Sequence, residues 1–126
     1  GVLYATSAEL KAFALDAATG RELWRFDPFA EGGAEKNALG VNRGVVVWGD
    51  GAERRVVYSA GQHLFALDAA TGRRVEGFGR GGRVDLREGL DRDAKGLFVL
   101  STTPGGARRS PASWSARGRW PRPWMR

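Results

Sequence analysis

Arg43 is a residue whose side chain could bind an anionic ligand, and it ends a long predicted loop, Pro28–Arg43, with Asn42 and Gly44 on either side. The arginine guanidinium is planar and offers its N–H donors in a fixed fork, which matches the two oxygens of a carboxylate. A loop arginine is more often one partner of a surface ion pair. Position alone therefore leaves both interpretations of Arg43 open, and the surrounding elements must decide between them.

Other features could also suggest chemistry, and the first two have simpler structural explanations. Gly77–Gly82 matches the pattern G-x-G-x-x-G, but a dinucleotide site needs a helix N-terminus after it, and residues 84–93 show no apolar helical stripe. We expect a glycine loop there instead. His63 is the single histidine, and no serine or aspartate stands at a spacing that nominates a catalytic triad. We expect a structural histidine.

Acidic residues follow the glycine loop and could suggest a cation site. Arginines are interleaved with them, so a solvated loop that balances its own charge is the expected structure. The acidic residues are Asp85, Glu88, Asp91 and Asp93, and the arginines are Arg87 and Arg92. The chain has no cysteine, which excludes disulfides and thiolate metal sites. We therefore assign no catalytic residue and no metal ligand from the sequence.

The positive charge of the chain is confined to one end. The formal net charge is +6, yet all 14 acidic residues precede residue 106, whereas residues 106–126 contain six arginines and three of the five tryptophans. This tail has no helical or strand period. It is compatible with a basic arm for nucleic acid or anionic lipid, with an ordinary disordered end, or with a shifted reading frame. We favour a disordered or frame-shifted tail and expect no nucleic-acid partner.

A nine-residue repeat organises the rest of the chain. FALDAATGR occurs at residues 13–21 and again at residues 65–73. Around both copies, short apolar or alternating runs are separated by turn residues, which is typical of antiparallel strands. The predicted strands are Val2–Thr6, Leu10–Asp16, Arg21–Asp27, Val45–Gly49, Arg54–Ala60, His63–Ala69 and Arg73–Phe78. Within each repeat the glycine suits a positive φ, and the aspartate can accept hydrogen bonds from the turn.

A four-stranded meander repeated at this period indicates a β-propeller blade. We expect an all-β chain holding about 1.75 blades: three strands in residues 2–28, a blade in 44–79 and the start of another in 96–104. Each blade needs neighbours on both faces to bury its apolar surface. Residues 1–105 are therefore predicted to be part of a larger ring, a fragment that needs the remaining blades.

The first repeat also carries a specific family motif. Ala14 to Trp24 fits A-x-D-x-x-T-G-x-x-x-W, which resembles the tryptophan-docking motif of the eight-bladed quinoprotein dehydrogenases, enzymes that use pyrroloquinoline quinone (PQQ). The second copy has Glu76 in place of the tryptophan, with Phe78 nearby. GVNRGVVVW at 40–48 and STTPG at 101–105 resemble the membrane-type glucose and polyol dehydrogenases of that family.

The resemblance implies a binding role for particular residues. In the family the tryptophan is clamped against the motif of the adjacent blade, and the arginine of Asn-Arg-Gly contacts PQQ. Arg43, with Asn42 beside it, falls at that position. A hydroxyl near STTPG also reaches the cofactor, which implies Ser101 or Thr102, with Thr102 preferred. The calcium ligands and the catalytic base of the family would lie outside this chain.

The resemblance also implies an activity. It predicts oxidation of an alcohol or sugar hydroxyl with electron transfer to PQQ, a quinone or cytochrome as electron acceptor, and a periplasmic or periplasm-facing membrane location. The chain by itself would be inactive. The alternative is a non-catalytic propeller that acts as a protein-interaction scaffold. A scaffold has no need of Arg43 in its long loop, and this residue distinguishes the two hypotheses.

Overall fold

The chain folds into two antiparallel sheets. The computed structural model describes residues 1–30, 41–90, 93, 96–97 and 99–102. The first sheet has the order β1-β2-β3 and the second the order β4-β5-β6-β7. The strands are β1 (Val2–Thr6), β2 (Ala12–Asp16), β3 (Glu22–Phe26), β4 (Val46–Trp48), β5 (Arg55–Ala60), β6 (His63–Asp68) and β7 (Arg83–Asp85), and a short 3-10 helix, Gly51–Glu53, joins β4 to β5. The predicted all-β meander is confirmed.

The turn after each nonapeptide explains why the same residues occur twice. The Asp16 carboxylate accepts hydrogen bonds from the N–H groups of Ala18 and Thr19 at 2.9 and 3.0 Å, and these bonds lower the pKa of its carboxyl. The Asp68 carboxylate makes the corresponding bonds at 2.9 Å. The closing glycines have φ of 73° and 72°, where a side chain would be strained. The repeat therefore encodes a tight turn.

The prediction for the last strand of the second sheet was wrong. Arg74 makes a single bridge to Leu67, and the Val75 N–H then reaches the Ala66 carbonyl. The chain leaves the sheet there and returns at β7, whose Arg83 pairs with Phe65. The predicted strand, Arg73–Phe78, is therefore not formed. The chain instead enters the glycine loop that was expected at Gly77–Gly82.

The two sheets pack through a shared aromatic core. Phe26 of β3 lies 5.4 Å from Phe65 of β6, and Phe65 stacks on Tyr58 at 5.8 Å between ring centroids. The Tyr58 hydroxyl donates to the Leu10 carbonyl at 3.1 Å, and burial raises the pKa of Tyr58. The buried cluster comprises Leu10, Ala12, Ala14, Trp24, Val56, Tyr58, Ala60, Phe65, Leu67 and Ala69. Because both sheets contribute, the core lies at their interface.

Trp24 joins the first sheet to the turn of the second repeat. Its indole Nε1–H donates to the Ala69 carbonyl at 2.9 Å, and the Tyr4 hydroxyl donates to the same oxygen at 3.2 Å. The ring lies against Gly72, where a Cβ would come within 2.5 Å of it. The expected clamp of the tryptophan on the neighbouring motif is therefore confirmed.

The domain boundaries remain predictions. The described residues of the expected third blade, 96–97 and 99–102, lie in no strand. The rest of the range 96–104 and all of the tail 106–126 lie outside the described residues.

Candidate functional site

The Asn42-Arg43-Gly44 segment enters the second sheet just before β4 and is held by its asparagine. The Asn42 Oδ1 accepts the Gly44 N–H at 2.7 Å, which closes a local turn, and Gly44 has a φ of 138°. The Asn42 Nδ2 donates to the Ser59 carbonyl of β5 at 2.7 Å. Asn42 therefore fixes the loop that contains Arg43. A glycine suits position 44, because its backbone has a positive φ.

The structure brings the predicted residues of two distant segments together. The Arg43 backbone N–H donates to the Thr102 carbonyl at 2.9 Å. The Ser59 hydroxyl donates to the Ser101 carbonyl at 2.7 Å. All four residues singled out from the sequence, Asn42, Arg43, Ser101 and Thr102, thus belong to one hydrogen-bonded junction. Their contact with a cofactor stays a prediction.

The Arg43 side chain is exposed at this junction. Among the residues that the structure describes, no carboxylate forms an ion pair with it, whereas Arg25 is paired with Glu22 at 2.6 Å and Arg87 with Asp85 at 2.8 Å. An unpaired guanidinium on an anchored loop suits an anionic ligand. PQQ carries three carboxylates, so the residues present fit the cofactor that the resemblance implies.

Ser59 is the residue of this junction that the sequence analysis missed. It lies in β5 and is 5% exposed, with apolar neighbours along most of the strand. Its importance comes from its two partners, Asn42 and Ser101, which are distant in the sequence. A serine inside a strand is not distinctive by itself, and the signal in the sequence was only its polarity at a buried position.

The acidic loop residues are engaged with neighbouring cations. Asp85 accepts two side-chain hydrogen bonds from Arg87, which hold the pKa of its carboxyl below the ordinary value. Within the described ranges, no group of three or more His, Asp or Glu side chains is placed to hold a metal ion. Asp91 and Arg92 lie outside the described residues.

His63 is buried at the start of β6, where it pairs with Ala60 of β5. Its Nε2 lies 3.9 Å from the Asp85 carboxylate, and its Nδ1 has no hydrogen-bond partner in the described part of the chain. Burial is the main cause that lowers the pKa of His63, and the nearby Arg83 and Arg87 act in the same direction, while Asp85 and Glu88 oppose them.

We expect stability to fall as the pH drops below about 6.5, the ordinary pKa of histidine. The folded-state pKa lies below the unfolded one, so the unfolded chain takes up the proton first and the free energy of unfolding decreases. The loss ends once the pH has passed below the folded-state pKa. Asp85, whose pKa is lowered in the folded protein, changes the free energy of unfolding only below about pH 4, so it does not contribute in this range. Urea unfolding should give a lower free energy of unfolding at about pH 5 than at about pH 7. His63→Gln should reduce this difference. An equal difference between the two pH values in the variant would contradict the prediction.

A cavity of about 200 Å³ lies between the sheets. It is lined by Arg25, Phe26, Asp27, Pro28, Ala30, Phe65, Arg74 and Arg83, so it is separate from the residues around Arg43. The part of the chain that is described contains no helix long and apolar enough to cross a membrane.

Meander sheets clamped by a tryptophan, with an arginine loop just before β4, are typical of a β-propeller of the quinoprotein class. The family model for the β-propeller domain of PQQ-dependent glucose, ethanol and alcohol dehydrogenases matches residues 1–110. The chain belongs to this family. The predicted family and the partial propeller fold are both confirmed.

Curated relatives agree with this assignment. The glycerol dehydrogenase large subunit of Gluconobacter oxydans is 36% identical over 109 residues, which cover 81% of this chain and 14% of the relative. The quinohemoprotein alcohol dehydrogenase ADH IIB of Pseudomonas putida is 42% identical over 77 residues, 60% of this chain and 11% of the relative. The chain thus spans about a seventh or less of their length. The glycerol enzyme supports the expected similarity to polyol dehydrogenases.

Proposed function

We propose that this chain is a segment of a PQQ-dependent dehydrogenase that oxidises the hydroxyl group of an alcohol or a polyol. The observation that carries the proposal is the anchored Arg43, whose backbone N–H is bound to the Thr102 carbonyl and whose guanidinium has no partner among the described residues. Family membership supplies the cofactor. A scaffold propeller would not require a cation held in this way.

Within this proposal the residues of the junction have separate tasks. Arg43 binds a carboxylate of PQQ through its fork of donors. Thr102, or Ser101 beside it, offers a hydroxyl to the same ligand, and Asn42 holds the arginine loop in place. When bound, PQQ supplies the oxidant that accepts two electrons from the alcohol carbon. The proposal assigns the catalytic base and the calcium ligands to parts of the complete protein outside this chain, which by itself would be inactive.

The names of the relatives support the electron acceptor, and the location is proposed from the family resemblance. The relatives include a quinone-linked alcohol dehydrogenase of Acetobacter aceti and a cytochrome c-linked 1-butanol dehydrogenase of Thauera butanivorans. We propose that the complete protein passes its electrons to a quinone or a cytochrome, and that it works in the periplasm or on the membrane face towards it. Both an alcohol and a polyol remain candidate substrates.

The proposal is tested with the complete protein that contains this segment, freed of cofactor. PQQ should bind and restore alcohol-dependent reduction of an artificial electron-accepting dye. The trimethyl ester of PQQ should bind about 30-fold more weakly or worse, because it lacks the charges that pair with arginine.

Equal binding of the acid and the ester would remove the carboxylate contact. The absence of PQQ binding would favour the scaffold hypothesis. A panel of primary alcohols and polyols in the same assay identifies the substrate class.

A further inference from the structure

Ser59 makes one hydrogen bond to each of the two segments that the proposed function assigns to cofactor binding. Its backbone carbonyl accepts the Asn42 Nδ2–H at 2.7 Å, and its hydroxyl donates to the Ser101 carbonyl at 2.7 Å. The residue is 5% exposed and is the last but one of β5, where it pairs with Leu64 of β6. A buried strand residue therefore holds both segments at once.

These two hydrogen bonds flank the backbone contact between Arg43 and Thr102. The Arg43 N–H reaches the Thr102 carbonyl at 2.9 Å. Asn42 precedes Arg43 and Ser101 precedes Thr102, so Ser59 binds the residue before each partner of that contact. Serine has a single rotatable bond before its oxygen, and its backbone is held by the pairing of β5 with β6, so the distance between the two segments is narrowly set.

We propose that Ser59 is a positioning residue that sets the spacing between Arg43 and Thr102 for a tricarboxylate ligand such as PQQ. This inference rests on the proposed function. Ser59 does not touch the ligand. It acts through Asn42 on one side and through Ser101 on the other, and its hydroxyl fixes the second of these.

Tyr58 provides a matched control on the same strand. Successive residues of a strand point to opposite faces, and the Tyr58 hydroxyl donates to the Leu10 carbonyl at 3.1 Å on the face towards the first sheet. Tyr58→Phe and Ser59→Ala thus each remove one buried hydroxyl bond to a backbone carbonyl. Both variants should lower the unfolding temperature, but only Ser59→Ala alters the junction.

The experiment measures PQQ affinity in the cofactor-free complete protein. Ser59→Ala should raise the dissociation constant about fivefold or more, the equivalent of one hydrogen bond, whereas Tyr58→Phe should change it less than about twofold. Ser59→Thr, which retains a hydroxyl, should recover most of the affinity. If Ser59→Ala does not fold, Ser59→Cys takes its place, because a thiol has similar size and is a weak donor.

Arg43→Ala separates the two levels of the argument. If Arg43→Ala weakens binding and Ser59→Ala does not, the role of Ser59 is overturned and the proposed function stands. If neither variant changes the affinity, Arg43 is removed from the site and the role of Ser59 is overturned with it. If the complete protein binds no PQQ at all, the proposed function itself fails. Equal losses in Ser59→Ala and Tyr58→Phe would also overturn the proposal, since general destabilisation would explain both.

Discussion

Replacing Gly72 by alanine is expected to destabilise the contact between the two repeats by about 2–5 kcal/mol. Gly72 has a φ of 72°, a backbone conformation that strains any side chain. Its added Cβ would also come within 2.5 Å of the Trp24 indole, which is itself held by the Ala69 carbonyl. The indole cannot move easily away from the added Cβ, because it is buried in the core between the sheets.

Gly20 is the matched control for this prediction, since it occupies the same place in the first nonapeptide. It has a φ of 73°, but a Cβ there would meet nothing within 4 Å. Gly20→Ala should therefore cost only the backbone strain, about 1–2 kcal/mol. The difference between the two variants isolates the contact with Trp24.

Hydrogen exchange measured by mass spectrometry gives the local opening free energy for each turn in the complete protein. The excess cost at Gly72 should disappear in a Trp24→Ala background, where the clash is gone. Equal costs at Gly20 and Gly72 in the presence of Trp24 would refute the clamp.

Replacing Arg43 by alanine is expected to weaken PQQ binding by about 30-fold or more, because a ligand carboxylate would lose its charged partner. The same change should alter the free energy of unfolding by less than about 0.5 kcal/mol, since the Arg43 side chain is exposed. Arg43→Lys should retain part of the affinity, because it keeps the charge and loses the fork. Titration of the cofactor-free complete protein with PQQ measures these effects.

Arg21→Ala is the control for the loss of one positive charge. Arg21 is also exposed, and it stands in the turn of the first repeat. Its replacement should leave the affinity for PQQ unchanged. Similar losses at Arg21 and Arg43 would mean that general charge attraction, and not a contact at Arg43, governs the binding. An unchanged affinity in Arg43→Ala would remove Arg43 from the site.

Local rules were sufficient for the strands and turns of the two repeats. Short apolar or alternating runs and the Asp-Ala-Ala-Thr-Gly turn correctly predicted β1 to β6 to within a few residues. The same rules failed for the last strand, because Arg73–Phe78 has a strand-like composition. Pairing with β6 decided the outcome there, because the glycine loop, Gly77–Gly82, intervenes before β7 enters the sheet.

The candidate site was predicted only as a set of residues. Arg43 and Thr102 were singled out through the family resemblance, and nothing in their spacing indicated the bond between them. The link through Ser59 was not predicted, because a buried serine has no characteristic pattern. Contacts of this kind join residues far apart in the sequence, so they are visible only once the sheets have formed.

By itself the sequence determined the family, the all-β class and the turn chemistry, since these depend on short motifs and on the period of the side chains. The tertiary structure alone decided that Trp24 packs on Gly72, that β7 completes the second sheet, and that Ser59 joins the segments of Arg43 and Thr102. The physical reason is distance along the chain. Local conformation follows from neighbouring residues, whereas packing and hydrogen bonding between remote segments require the sheets to lie together.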